Sequence, residues 1–178
     1  MRERLLLVRH AKPDVVPTTR AESWRLGTDG RAAARRLAGL IPTPAYFVAS
    51  VEPKALETLQ ELAPPATITT DAGFAEVRRP HEWTDDDTYR ATARAYLTGE
   101  HPPGWEPLDQ VIARFDAAVA RHRARATDRT LVIGTHGLAA TSWLADNCDL
   151  DPEHFWQDLR LPDLIDVDLA RRRWTRRE

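Results

Sequence analysis

Arg9 and His10 stand side by side at the end of a short apolar run, Leu5-Leu6-Leu7-Val8. A guanidinium grips an oxyanion through parallel N–H donors, and an adjacent imidazole can attack the atom at its centre. The pairing points to phosphate chemistry. Two later segments repeat the arrangement. Ser50-Val51-Glu52-Pro53-Lys54-Ala55-Leu56-Glu57-Thr58 brings a cation and a hydroxyl to the start of a helix. Gly134-Thr135-His136-Gly137-Leu138 brings a second imidazole to another strand-to-helix junction. Helix N-termini favour anions through their free N–H groups and the macrodipole. The expected product is a pocket lined by Arg9, His10, Lys54 and His136.

These residues need elements that deliver them to one place. A continuous apolar run such as Leu5–Val8 suits a strand covered on both faces, and in open parallel sheets ligands collect beyond the carboxyl ends of the strands. Strand-like runs occur at Leu5–Arg9, Ala45–Ser50, Thr67–Asp71, Thr130–Thr135 and Leu164–Leu169. Helical patterns lie between them. The first spans Gly30–Leu40, with Thr28 or Asp29 as N-cap, and the second Pro53–Leu62, with proline in the first turn. Others cover about Asp85–Leu97 and Leu108–Ala126, and two more start near Gly137 and Pro152. In Leu108–Ala126, Val111, Ile112, Phe115 and Val119 fall at helical spacing and read as core. The alternation predicts an α/β fold, a three-layer αβα sandwich with a mostly parallel sheet. The segment from about 73 to 128 is expected to form a small helical cap inserted between the third and fourth strands. Residues 1–178 then form a single domain, with Pro102-Pro103-Gly104 as a turn inside the cap.

Composition narrows the setting. The 178 residues are 42% apolar and 29% charged, as in an ordinary globular chain. A formal charge of −2 gives no global attraction to nucleic acid or membrane. No apolar run approaches the roughly 18 residues of a membrane span, and the first is shorter than a secretory core of about 7–15 residues. The lone Cys148 excludes an intramolecular disulfide and fits the cytoplasm as a small buried hydrophobe. The basic run Arg171-Arg172-Arg173-Trp174-Thr175-Arg176-Arg177 reads as a solvated chain end after the last strand, with polyanion binding as the alternative. His81, His101, His122 and His154 lack metal-ligand spacing, so no metal site is expected. His81 can reach the pocket rim. Trp24, Trp83 and Trp105 fall near the expected mouth and cap, where they can pack or meet an apolar substrate moiety.

Read together, the segments resemble the histidine phosphatase superfamily, with its phosphoglycerate-mutase-like fold. Leu7-Val8-Arg9-His10-Ala11 is similar to the family's opening strand and Arg-His-Gly, with Ala for Gly. Leu26-Gly27-Thr28-Asp29-Gly30 approximates its Leu-Thr-x-x-Gly phrase. Ser50 to Thr58 matches Ser-x-x-x-Arg-Ala-x-x-Thr, with Lys54 for Arg, and Phe74-Ala75-Glu76 stands where the family has Leu-x-Glu. Val132-Ile133-Gly134-Thr135-His136-Gly137 supplies the closing Val-x-x-x-His-Gly. The resemblance implies that His10 is a nucleophile forming a phosphohistidine, while Arg9, His136 and Lys54 hold the non-bridging oxygens. His136 is expected to work as an imidazolium, the form that a nearby phosphate and carboxylate favour. Glu76 is implied as the proton donor, with Glu82 or an Asp of Asp85-Asp86-Asp87 as alternatives. The implied activity is cofactor-independent hydrolysis of a small phosphomonoester. A phosphomutase, or a weakened phosphate-binding relative, is the alternative. Because lysine lacks the planar fork of arginine, Arg20, Arg25, Arg78 and Arg79 are candidates for a second guanidinium. Ala11 is expected to adopt an ordinary φ.

Overall fold

The computed structural model describes residues 4–81 and 84–178. Glu82, the alternative acid, and Trp83 lie outside the described residues. The strands are β1 (Arg4–Arg9), β2 (Ala45–Ala49), β3 (Ile68–Thr70), β4 (Thr130–Thr135), β5 (Asp163–Asp168) and β6 (Arg173–Arg176). They form one six-stranded sheet in the order β3-β2-β4-β1-β5-β6. β3, β2, β4 and β1 run parallel, while β5 lies antiparallel to β1 and β6 antiparallel to β5. The helices are α1 (Thr28–Arg36), α2 (Pro53–Leu62), α3 (Asp86–Leu97), α4 (Leu108–Ala126), α5 (Gly137–Asn147) and α6 (Pro152–Gln157).

Strand alternation sorts the apolar side chains into two clusters. Leu6, Val8, Phe47, Ala49 and Val132 pack with Leu59 and Leu62 of α2, and Leu37 just past α1 leans on the same group. Leu5, Leu7, Val48, Leu131 and Ile133 pack with Phe115 and Val119 of α4 and with Trp143 and Leu144 of α5. The stripe of α4 is therefore core, as its periodicity requires, and α3 adds Ala93, Tyr96 and Leu97 to the same cluster. Burying aliphatic side chains of this size is worth about 1.5–3 kcal/mol each against leaving them exposed. Among the described residues, no helix is long and apolar enough to cross a membrane.

Three local expectations change. α1 starts at Thr28, and its N-cap is Gly27, whose carbonyl accepts from Arg31 N at 3.0 Å. The helix then ends at Arg36, and a 3-10 turn, Ala38–Leu40, completes the segment.

The larger correction concerns the basic tail. Arg173–Arg176 forms the edge strand β6 instead of a solvated end. Arg176 Nε donates to both oxygens of Asp163 at 2.9 and 3.0 Å, and Arg177 Nη2 donates to Asp166 at 2.7 Å. Asp163 and Asp166 are only 2% and 5% exposed, so these pairs neutralise buried charge. Trp174 meets Phe155 edge-on at 4.7 Å between centroids. Much of the tail's charge is thus committed internally. Its strand character was hidden because one aromatic residue is its only large apolar contribution.

Candidate active site

Parallel strands deliver their carboxyl ends to one edge of the sheet, and the register makes the delivery specific. Arg9 pairs with Thr135 and Ala49 with Gly134, so the residues that follow, His10, Ser50 and His136, emerge together. The His10 and His136 ring centroids are 5.2 Å apart. The turn after β3 adds Glu76. It is tied down by Thr135 Oγ1 donating to Phe74 O at 2.9 Å, and by Arg114 of α4 donating to the carbonyls of Gly73, Ala75 and Glu76.

His10 is held through its backbone and its ring. Its N–H donates to Thr135 O at 3.0 Å, and its Nδ1 lies 2.8 Å from Ala11 O. A carbonyl can only accept, so Nδ1 carries the proton, and Nε2 keeps its lone pair with no hydrogen bond among the described residues. Burial, helped by the charges of Lys54 and Arg9, lowers the ring's pKa to about 3. His10 is thus neutral in ordinary buffers. The next peptide is fixed in turn, with Ala11 N donating to Thr58 Oγ1 at 2.9 Å while that hydroxyl donates to Lys54 O at 2.7 Å. Ala11 has an ordinary φ, as expected; among the described residues the non-glycine exceptions are Thr127 and Arg172. Gly30 lets α1 lie directly on this loop, because a Cβ there would run into the Lys12 carbonyl. That contact gives the Leu26–Gly30 phrase its physical meaning.

Arg9 spends Nη1 on the carbonyls of Leu159 and Arg160 at 3.0 and 3.2 Å. Its Nε is buried without a partner. His136 is fully buried, with Nε2 2.8 Å from Ser50 Oγ and 3.4 Å from Glu52 Oε1, while Nδ1 is unpartnered. Among the described residues, the remaining buried side-chain polar atom without a partner is Tyr96 Oη. Two of the three such atoms therefore belong to Arg9 and His136. A buried polar group left unpaired costs about 1–3 kcal/mol, which an anionic ligand accepting from it would recover. Burial, then the charges of Lys54 and His10, pushes His136 well below the usual imidazole value. Burial beside Lys54 thus works against the imidazolium that a nearby phosphate would favour.

Glu76 reaches the N-terminus of α5. Its Oε1 accepts from Ala139 N at 2.8 Å and its Oε2 from Leu138 N at 3.2 Å. Its charge is also felt at Arg9, second only to burial. Two of the alternative acids are committed elsewhere: Asp85 caps α3 by accepting from Thr88 N at 2.9 Å, and Asp86 pairs with exposed Arg90.

Lys54 is buried beside the two imidazoles, and its Nζ donates to Glu52 Oε2 at 2.6 Å and Ala21 O at 2.7 Å. Glu52 was assigned no role from sequence. Its other oxygen accepts from Glu76 N at 2.8 Å, and burial raises its pKa despite Lys54. Of the alternative arginines, Arg20 pairs with Glu22, Arg25 with Glu57 and Arg78 with Glu106. Arg79 turns inward. Its guanidinium lies 5.1 Å from the Tyr89 ring centroid and 5.9 Å from that of Trp105, and its charge reaches His136. Tyr89 senses Arg9, Glu76 and Arg79, so the first turn of α3 borders the site. His81 is exposed, and Trp24 donates from Nε1 to Val16 O at 3.1 Å. Arg114 and Tyr89 were also missed. Each falls in an ordinary helical pattern, and only the tertiary fold turns it toward the site.

No curated protein matches the sequence. Solved structures share the fold: a mycobacterial glucosyl-3-phosphoglycerate phosphatase complexed with VO3 aligns with a TM-score of 0.75 at 20% identity, covering 98% of this chain and 96% of that one. Bacillus stearothermophilus YhfR aligns with a TM-score of 0.72 at 23% identity, covering 93% and 91%. A Thermus thermophilus protein aligns with a TM-score of 0.69 at 24% identity, covering 98% of each. The family model for the histidine phosphatase superfamily (branch 1) matches residues 5–176. Spanning nearly its whole length, that match together with the paired strand-end histidines places this chain in the histidine phosphatase superfamily.

Proposed function

We propose that this histidine phosphatase hydrolyses a small phosphomonoester through a phosphohistidine on His10. The observation that carries the reading is the neutral His10 ring, oriented through Nδ1 and beside the unpartnered Arg9 Nε and His136 Nδ1. In the first step, the Nε2 lone pair forms a bond to phosphorus as the bond to the leaving oxygen breaks. Arg9 and His136 donate to the non-bridging oxygens, which carry the charge of the transition state. Glu76 gives its proton to the leaving alkoxide. In the second step, water attacks phosphorus, its proton passes to Glu76, and the bond to Nε2 breaks. General acid–base assistance of this kind contributes roughly 10²–10⁴-fold.

The segment from 73 to 128 carries Glu76, Arg79, Tyr89 and Trp105, and we assign it the part of a cap over the strand ends. Tyr89 and Trp105 stack at 6.5 Å between centroids, offering an aromatic face to the organic part of the substrate. Arg79 supplies the second guanidinium that Lys54 does not. The chemistry needs no metal, and the single buried Cys148 suits a reducing cytoplasm.

Hydrolysis of an aryl phosphate and of a panel of phosphorylated metabolites tests the reading. Turnover should be lost in His10→Ala and reduced roughly 10²-fold or more in Glu76→Ala. Wild-type rates no higher than those of His10→Ala across the panel would refute it.

A further inference from the structure

The anion pocket contains an anion of its own. Glu52 is buried at the end of β2, where one carboxylate oxygen holds Lys54 Nζ at 2.6 Å. The other oxygen accepts from Glu76 N at 2.8 Å and lies 3.4 Å from His136 Nε2. Lys54 completes its shell with the Ala21 carbonyl at 2.7 Å. The side chains of Glu52 and Lys54 are 6% and 7% exposed, so the pair interacts with little screening by solvent. Two acceptors already engage the ammonium. Direct contact between Lys54 and a phosphoryl oxygen therefore competes with a short buried ion pair.

We infer that Glu52 is a built-in counter-anion of the phosphoryl pocket, holding Lys54 off the bound group and setting a low affinity for free oxyanions. The inference rests on the reading that this pocket takes a phosphoryl group. Glu52 offsets the charge of Lys54, which leaves Arg9 and Arg79 as the cations open to a phosphoryl group. The pocket therefore attracts a phosphoryl dianion less than its cations alone would suggest. Such a site favours substrates whose organic part adds binding energy, and it releases inorganic phosphate readily. Glu52 is thus a specificity-determining residue that acts through Lys54.

Calorimetric titration with inorganic phosphate tests this on wild type, Glu52→Gln and the double variant Glu52→Gln/Lys54→Met. Glu52→Gln should bind phosphate at least about tenfold more tightly, and adding Lys54→Met should remove most of the gain. A merely structural role predicts loss instead of gain. Unchanged or weaker binding in Glu52→Gln overturns the inference, as does a gain that survives Lys54→Met. A crystal structure of wild type with phosphate decides the matter without a variant. Lys54 Nζ still on Glu52 supports the inference, and Lys54 Nζ moved onto the phosphate overturns it. These readouts require no turnover, so loss of His10-dependent hydrolysis would reject the proposed reaction separately.

Discussion

His10 meets two opposing demands, since a nucleophilic nitrogen must stay unprotonated while surrounded by groups that attract an anion. Burial beside Lys54 and Arg9 keeps it neutral, and the Ala11 carbonyl selects the tautomer that leaves Nε2 free. His136 needs a different arrangement, because it must offer a proton. Ser50 Oγ lies 2.8 Å from its Nε2, and when that hydroxyl donates, the proton of the neutral ring resides on Nδ1, the unpartnered atom. We predict that Ser50→Ala lowers kcat/KM about tenfold, the scale of one lost hydrogen bond in the transition state. Steady-state kinetics on an aryl phosphate checks this. A Ser50→Ala enzyme with wild-type kcat/KM would show that His136 is oriented by other contacts.

Elements differ in how openly the sequence announces them. β1, β2 and β4 are continuous apolar runs, and α2 carries its proline in the first turn, so both their existence and their order were legible. The strand-end placement of Arg9, His10 and His136 followed from them. β6 was not legible, because its stability comes from ion pairs to Asp163 and Asp166, partners in a strand that precedes it by a turn. Glu52 and Arg114 were hidden for a related reason: their contacts with Glu76, with His136 and with the turn after β3 join segments far apart in sequence, and neither residue breaks a local pattern. The ion pairs of β6 carry their own prediction. Arg176→Ala leaves the 2%-exposed Asp163 without the guanidinium whose Nε bridges both its oxygens and is expected to destabilise the fold by about 3–5 kcal/mol, measured by urea unfolding. A loss below about 0.5 kcal/mol, typical of a surface substitution, would return the tail to the solvated reading.

For the whole molecule, a site built from buried neutral imidazoles links folding to pH. The unfolded chain takes up protons on histidine near pH ~6.5, whereas native His10 does so only at about 3. Between those values the unfolded state binds more protons, so His10 reduces stability as pH falls through that window and has no such effect above it. His136 acts in the same direction. We therefore predict that His10→Ala loses less stability than wild type when the pH of a urea titration is lowered from about 7 to about 4.5. Parallel pH dependence in the two proteins would contradict a neutral native His10. The same neutrality underlies the proposed reaction, which is tested most directly by acid-free quenching of enzyme mixed with a phosphoryl donor, followed by peptide mass spectrometry. The account predicts a phosphoryl group on His10 Nε2, accumulating in Glu76→Ala and absent from His10→Ala. Turnover of the donor with phosphate on another residue, or with no His10 adduct under conditions that trap phosphohistidine, would contradict it.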